Sequence, residues 1–282
     1  MAARPNDSLA GELVVVTGAS RGIGRAVSVA LARESLHLLL VARAPAALGS
    51  VAQVLRDQGA TVATLALDVA DPRAPDQLIA HVERDGRVPF ALVNNAGIAH
   101  AHRFERLARD DLDHQVEVNL LGPMRLTHAL LPKMLERGRG RFIHLGSGAA
   151  DFPARRLLVY SATKSALRAF SFGLDLEVRR RGVRSTVVEP IFVRTDLGRR
   201  PGDVEAPLER LHRDHPRFVL EPETVASAVV GALHRPRRRV SVPLVWGAGR
   251  LLGLAAGPIV RRALELAPPR PASDGDGGTP VG

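Results

Sequence analysis

Short, nearly unbroken apolar runs alternate along this chain with longer stretches in which apolar residues recur every three or four positions. The runs are Leu13–Thr17, His37–Ala42, Thr61–Leu67, Phe90–Asn94, Gly140–Leu145, Arg184–Glu189 and Val240–Pro243. Most are rich in β-branched and aliphatic residues and lack the in/out alternation of a strand with one wet face, which predicts strands covered on both sides. Helical periodicity marks 21–34, 45–58, 72–84, 105–117, 123–137, 157–181 and 222–234. Strand and helix in strict alternation imply right-handed crossovers, hence an α/β fold: a doubly wound, mostly parallel seven-stranded sheet flanked by helices. No internal repeat or linker interrupts it, so one domain is expected over 11–244. Around it lie a flexible N-terminus (1–10), an apolar extension (245–267) and a disordered tail (268–282).

Composition narrows the chemistry. The 282 residues include no cysteine, which excludes disulfides, thiolate metal sites and cysteine nucleophiles. The formal charge is +10, yet lysine occurs only at Lys133 and Lys164, and nearly all of the 39 basic residues are arginine. Scattered arginines with few aromatic platforms favour a compositional bias over nucleic-acid binding. The polar opening residues contain no export signal, so a cytoplasmic protein is expected.

The first strand runs directly into Thr17-Gly18-Ala19-Ser20-Arg21-Gly22-Ile23-Gly24 and then a helix. Glycines there allow a tight turn and close backbone approach to a pyrophosphate, and the helix N-terminus offers free N–H groups. A ribose-binding carboxylate is expected at the end of the second strand, but Val41-Ala42-Arg43 has none; Glu34 falls within the helical pattern. Arg43 and Arg21 would instead bracket a 2′-phosphate with charge-assisted bonds, so NADP(H) is expected over NAD(H). The alternative for both is a solvated arginine.

Further along, Tyr160-Ser161-Ala162-Thr163-Lys164 sets a tyrosine and a lysine one helical turn apart. A nearby ammonium favours phenolate, which would make tyrosine a usable proton carrier. Ser147 precedes the tyrosine, just after the fifth strand. Asn94-Asn95-Ala96-Gly97 closes the fourth strand, and Asn119 sits in Val118-Asn119-Leu120. These positions fall at carboxyl ends of parallel strands or on helices beside them, where such sheets bind ligands.

The glycine turn, Asn-Asn-Ala-Gly and the Ser…Tyr-x-x-x-Lys spacing together resemble the short-chain dehydrogenase/reductase family across roughly 11–244. The resemblance implies a single Rossmann-type domain transferring hydride between nicotinamide and a carbonyl or alcohol carbon. It implies Tyr160 as general acid/base, Ser147 holding the substrate oxygen, Lys164 on the nicotinamide ribose and Asn119 holding a relay water. It further implies cofactor contacts from Gly18, Ser20, Arg21, Gly22, Ile23, Gly24, Arg43, Asp68, Val69, Asn95, Ala96, Gly97, Asn119, Tyr160 and Lys164. Asp68 would meet the adenine amino group, and Pro190, Val193 and Thr195 the nicotinamide end. No metal is implied, and a homodimer or homotetramer is.

Departures sharpen the resemblance. Ile191 stands where the family usually has glycine after the proline, and His144 where asparagine is common. Val240-Ser241-Val242-Pro243-Leu244 lacks the glycine pair usual near the end of 3-oxoacyl thioester reductases, which lowers that reading without excluding it. Segment 195–220 is polar and reads as a lid over the substrate; Phe152, Pro153, Leu157, Ile191 and Phe192 offer an apolar lining. A lipophilic small-molecule carbonyl or alcohol is the expected substrate. Segment 244–266 is apolar but broken by Arg250, glycines and a proline. Packing over the pocket or a subunit neighbour, or peripheral membrane contact, are its two readings. A non-catalytic NADP-binding regulator is the alternative from another class.

Overall fold

The structure, a computed structural model, describes residues 9–153, 155–194, 197 and 219–243. Seven strands, β1 (Leu13–Thr17), β2 (His37–Ala42), β3 (Thr61–Ala66), β4 (Ala91–Asn94), β5 (Gly140–Leu145), β6 (Val183–Pro190) and β7 (Arg239–Val242), form one sheet in the order β3-β2-β1-β4-β5-β6-β7. Every pairing is parallel, in keeping with the expected doubly wound seven-stranded sheet. The strand order reverses between β1 and β4, so their carboxyl ends open a crevice.

Continuous apolar strands make sense at the centre of the sheet, where both faces are buried, while the edge strand β3 is partly exposed. Val14, Val16, Leu38 and Leu40 point into one core, and Leu13, Val15, Leu39 and Val41 into the other. The first core is covered by α1 (Gly22–Ala32), α2 (Pro45–Asp57) and α7 (Pro222–His234), through residues such as Leu31, Leu55 and Val229. The second is covered by α3 (Ala74–Asp85), α5 (Gly122–Glu136) and α6 (Leu158–Val178), through Leu78, Leu130 and Leu174.

Two helical expectations change. The pattern over 105–117 resolves into a three-ten turn at Phe104–Arg106, α4 (Arg109–Val116) and a π-helical turn at Glu117–Leu121 that runs into α5. Glu34 lies beyond the end of α1, where its carboxylate meets His234 Nε2 at 2.9 Å. Among the described residues, no helix is long and apolar enough to cross a membrane. Thr195, most of the lid at 195–220, the extension and both termini lie outside the described residues.

Candidate active site

The crevice is lined first by the glycine turn. Gly18 adopts φ +65°, and a Cβ there would stand 2.9 Å from Ala96 Cα. A side chain at Gly24 would sit 2.1 Å from the Gly18 carbonyl oxygen, so α1 can pack against the turn only because residue 24 has none. Asn95 fixes the arrangement from the neighbouring strand: its Nδ2 donates to Thr17 O (2.9 Å) and Gly18 O (3.2 Å). The N–H groups of Asn95 and Ala96 both donate to Thr17 Oγ1. The Asn95 side chain is thus engaged in holding the turn.

At its N-terminus α1 has neither a side-chain cap nor an acidic residue in its first turn. Its first N–H groups and positive dipole end therefore face the crevice without a competing anion. That fits a pyrophosphate. Arg21 is exposed at the helix start and Ser20 is half-buried beside it. Beyond β2, the Arg43 side chain is 58% exposed, with Nη1 4.0 Å from Asp68 Oδ2. Asp68 also caps its own turn, Oδ1 accepting from Ala70 N–H at 3.0 Å, while Val69 is buried against the second core. An exposed guanidinium at this edge fits a 2′-phosphate.

The reactive cluster forms where β5 meets α6. Ser147 follows β5 and caps the three-ten turn Gly148–Ala150, its Oγ accepting from Ala149 N–H at 3.1 Å. Tyr160 stands in the first turn of α6, with the Ser147 side chain beside it. One turn on, Lys164 is 4% exposed and donates from Nζ to Leu145 O at 2.8 Å, lying 5.7 Å from the tyrosine ring centroid. Burial pushes the Tyr160 phenol above its ordinary value, and the Ser147 side chain only partly offsets this. A lysine one turn away is expected to favour phenolate, whereas burial raises the phenol in the folded protein and keeps it protonated near neutral pH.

Burial also pulls Lys164 down to about 8. Between pH 8 and the ordinary value of 10.5, the unfolded chain holds a proton at this side chain that the folded one has shed. Stability therefore rises with pH across that window, by about 3 kcal/mol in all. Denaturant midpoints for wild type and Lys164→Met at each end should show the wild type gaining on the variant as pH rises. A flat difference would mean that the ammonium is not desolvated.

Asn119 lies in the π-helical turn, and its amide is already occupied. Oδ1 accepts from Ile98 N–H (2.9 Å), while Nδ2 donates to Ile98 O (2.8 Å) and Thr163 Oγ1 (3.3 Å). The side chain ties α6 to the segment after β4, with one acceptor lone pair left for a water. Gly97 faces this point: a Cβ there would be 3.3 Å from Asn119 Oδ1 and 3.5 Å from Lys164 Nζ. Pro190 ends β6, Ile191 N–H donates to Val242 O at 3.1 Å, and Val193 bridges to Leu220. His144 is buried and neutral, held down to about 3 mainly by desolvation and then by Lys164. Its Nδ1 lies 3.2 Å from Asn94 Nδ2.

Sequence reasoning missed one group beside these residues. Glu189, 1% exposed near the end of β6, sits among Arg168, Arg239 and Asp151. Burial pushes its carboxyl up to about 7; Arg239 and Arg168 oppose that rise, and Asp151 adds to it. A lone acid in the apolar run Val187-Val188-Glu189-Pro190 was the available signal.

The model of the family described as short chain dehydrogenase matches residues 12–204. The chain is 36% identical over 233 residues to the glycine betaine reductase ATRR of Emericella nidulans, covering 82% of this chain but 18% of that protein. It is 32% identical over 192 residues to the 3-oxoacyl-[acyl-carrier-protein] reductase of Pseudomonas aeruginosa, covering 68% of this chain and 78% of the relative. A short-chain dehydrogenase from Sphingobium yanoikuyae, solved in complex with NADPH, superposes with a TM-score of 0.75 at 28% identity, covering 93% of this chain and 99% of that one.

Proposed function

Because this chain belongs to the short-chain dehydrogenase family, and so is an oxidoreductase, we propose that it interconverts a lipophilic carbonyl compound and its alcohol with NADP(H). The observation that carries the reading is the placement of Tyr160 one helical turn from the buried Lys164 and beside Ser147 at the carboxyl end of β5. Ser147 holds and orients the substrate oxygen. Tyr160 gives that oxygen its proton in reduction and takes it back in oxidation. Lys164, close to Gly97, supplies positive charge for the nicotinamide ribose and limits the cost of a transient phenolate. Asn119 keeps α6 in register with the segment after β4. When bound, the cofactor supplies or accepts the hydride. Gly18, Ser20, Arg21, Gly22, Ile23 and Gly24 would hold its pyrophosphate. Arg43 would take the 2′-phosphate, Asp68 and Val69 the adenine, and Asn95, Ala96, Gly97, Pro190, Val193 and Thr195 the nicotinamide half.

The exposed apolar side chains of Leu158, two residues before Tyr160, and Phe192, two after Pro190, support a lipophilic substrate. The likeness to the Pseudomonas reductase favours a second reading, reduction of a 3-oxoacyl thioester. A homodimer or homotetramer in the cytoplasm, with 244–266 either packed on the protein or meeting a membrane surface, completes the proposal. The test is NADPH consumption against acetophenone, a steroid ketone, a retinoid aldehyde and an acetoacetyl thioester. Preference for the first three supports the proposal, and preference for the thioester establishes the second reading. Tight NADPH binding with no turnover of any of them would mark a non-catalytic regulator.

A further inference from the structure

Tyr160, Lys164 and Arg168 stand at i, i+4 and i+8 on α6 and so share one face over three turns. Each reaches a different point of the short segment that carries Ser147. Tyr160 meets Ser147 itself, and Lys164 Nζ donates to Leu145 O on its N-terminal side. Arg168 closes the far side: Nη1 donates to Asp151 Oδ1 at 2.5 Å, and Nη2 to Ala150 O at 3.0 Å. Between these anchors runs a single three-ten turn with Ser147 at its start and Asp151 at its end.

Asp151 is gripped from a second direction. Arg239, on the edge strand β7, donates to Asp151 Oδ2 and also pairs with Glu189 Oε2. Arg168 Nη1 lies 3.5 Å from the other Glu189 oxygen. Two guanidinium and two carboxylate groups, each largely buried, therefore link α6, β6 and β7 to the last residue of the serine turn. A planar guanidinium suits Arg168 because it makes two bonds at fixed angles, which a lysine ammonium does not.

We propose that Arg168 is a positioning residue, which through Asp151 and the Glu189–Arg239 pair sets the Ser147 turn in place beside Tyr160. The proposal rests on the reading of Ser147 and Tyr160 as the reacting pair. The motif in this chain is thus longer than Tyr-x-x-x-Lys: a third turn of the same helical face holds the serine that the first turn uses.

Tyr160 is the only tyrosine in the 282 residues, so tyrosinate absorbance of the full-length apo protein reports it alone. Hydrogen bonds to a charged group are worth about 1.5–3 kcal/mol, so losing the Ser147 hydroxyl should lower the tyrosinate fraction by about tenfold or more. The fraction is compared at one alkaline pH at which circular dichroism shows every variant folded. Ser147→Ala should show the full loss, and Arg168→Met a loss of about threefold, as expected for a weakened bond. The double variant should match Ser147→Ala alone, because the arginine acts only through the serine. Arg168→Lys, which keeps the charge but not the fork, should fall between wild type and Arg168→Met, and it carries the comparison if Arg168→Met does not fold. An unchanged fraction in the Arg168 variants, or a further loss in the double variant, overturns the proposal. An unchanged fraction in Ser147→Ala instead overturns the underlying Ser147–Tyr160 pairing.

Discussion

Replacing Tyr160 by phenylalanine is expected to lower kcat by about a hundred- to ten-thousandfold, the range associated with losing a positioned general acid. The change removes one oxygen from a buried ring and leaves its packing intact. The Ser147 hydroxyl keeps its bond from Ala149 N–H, and Lys164 keeps Leu145 O. Stability should therefore fall by no more than about 1 kcal/mol, the usual worth of a single hydrogen bond. Affinity for NADPH, followed by its fluorescence, should stay within about threefold, because the glycine turn and Arg43 are untouched. The expected signature is a loss of kcat with cofactor binding preserved. Retention of more than about a tenth of the activity would remove Tyr160 from the chemistry, since one decade corresponds to only about 1.4 kcal/mol.

The neutral state of that phenol was not legible in the sequence. Spacing places Lys164 one turn from Tyr160 and points to a lowered phenol. It carries no measure of how deeply both groups are buried, and burial decides the sign here. The strands were legible because most of the sheet is covered on both faces and its runs are mainly apolar; β1, β2 and β5 have the bounds their runs predict. The continuity of α4 into α5 was not, because the periodicity is read as two helices, 105–117 and 123–137, where the backbone widens into a π-helical turn and runs on. Arg168, Asp151 and Arg239 were invisible for a different reason. In an arginine-rich chain each reads as an ordinary solvated charge, and only strand order brings β6 and β7 beside the turn after β5. Glu189 alone left a trace, as an acid in a strand otherwise apolar at its centre.

Arg43→Asp should reverse the choice of cofactor, and the size of the effect follows from the neighbours of Arg43. A 2′-phosphate at the end of β2 would lose a charge-assisted partner, worth about 1.5–3 kcal/mol. It would also face two carboxylates, because Asp68 Oδ2 already lies 4.0 Å from the Arg43 guanidinium. Like charges at that range add roughly a further 1 kcal/mol of repulsion even in a wet setting. Together these predict a loss of about a hundredfold or more in kcat/KM with NADPH. With NADH the new carboxylate can accept from the free 2′-hydroxyl, as an acidic residue at this strand end does in dinucleotide-binding folds. Activity with NADH should hold or rise. Arg21 remains as a second cation at the helix start, so Arg21→Ala alone should have the smaller effect, and the double variant should exceed either single change. Because Arg43 is 58% exposed, the preference should also narrow as salt is raised. Equal use of both cofactors by the wild type, or an unchanged preference in Arg43→Asp, would mean that these arginines are only part of the basic surface and that the phosphate is read elsewhere.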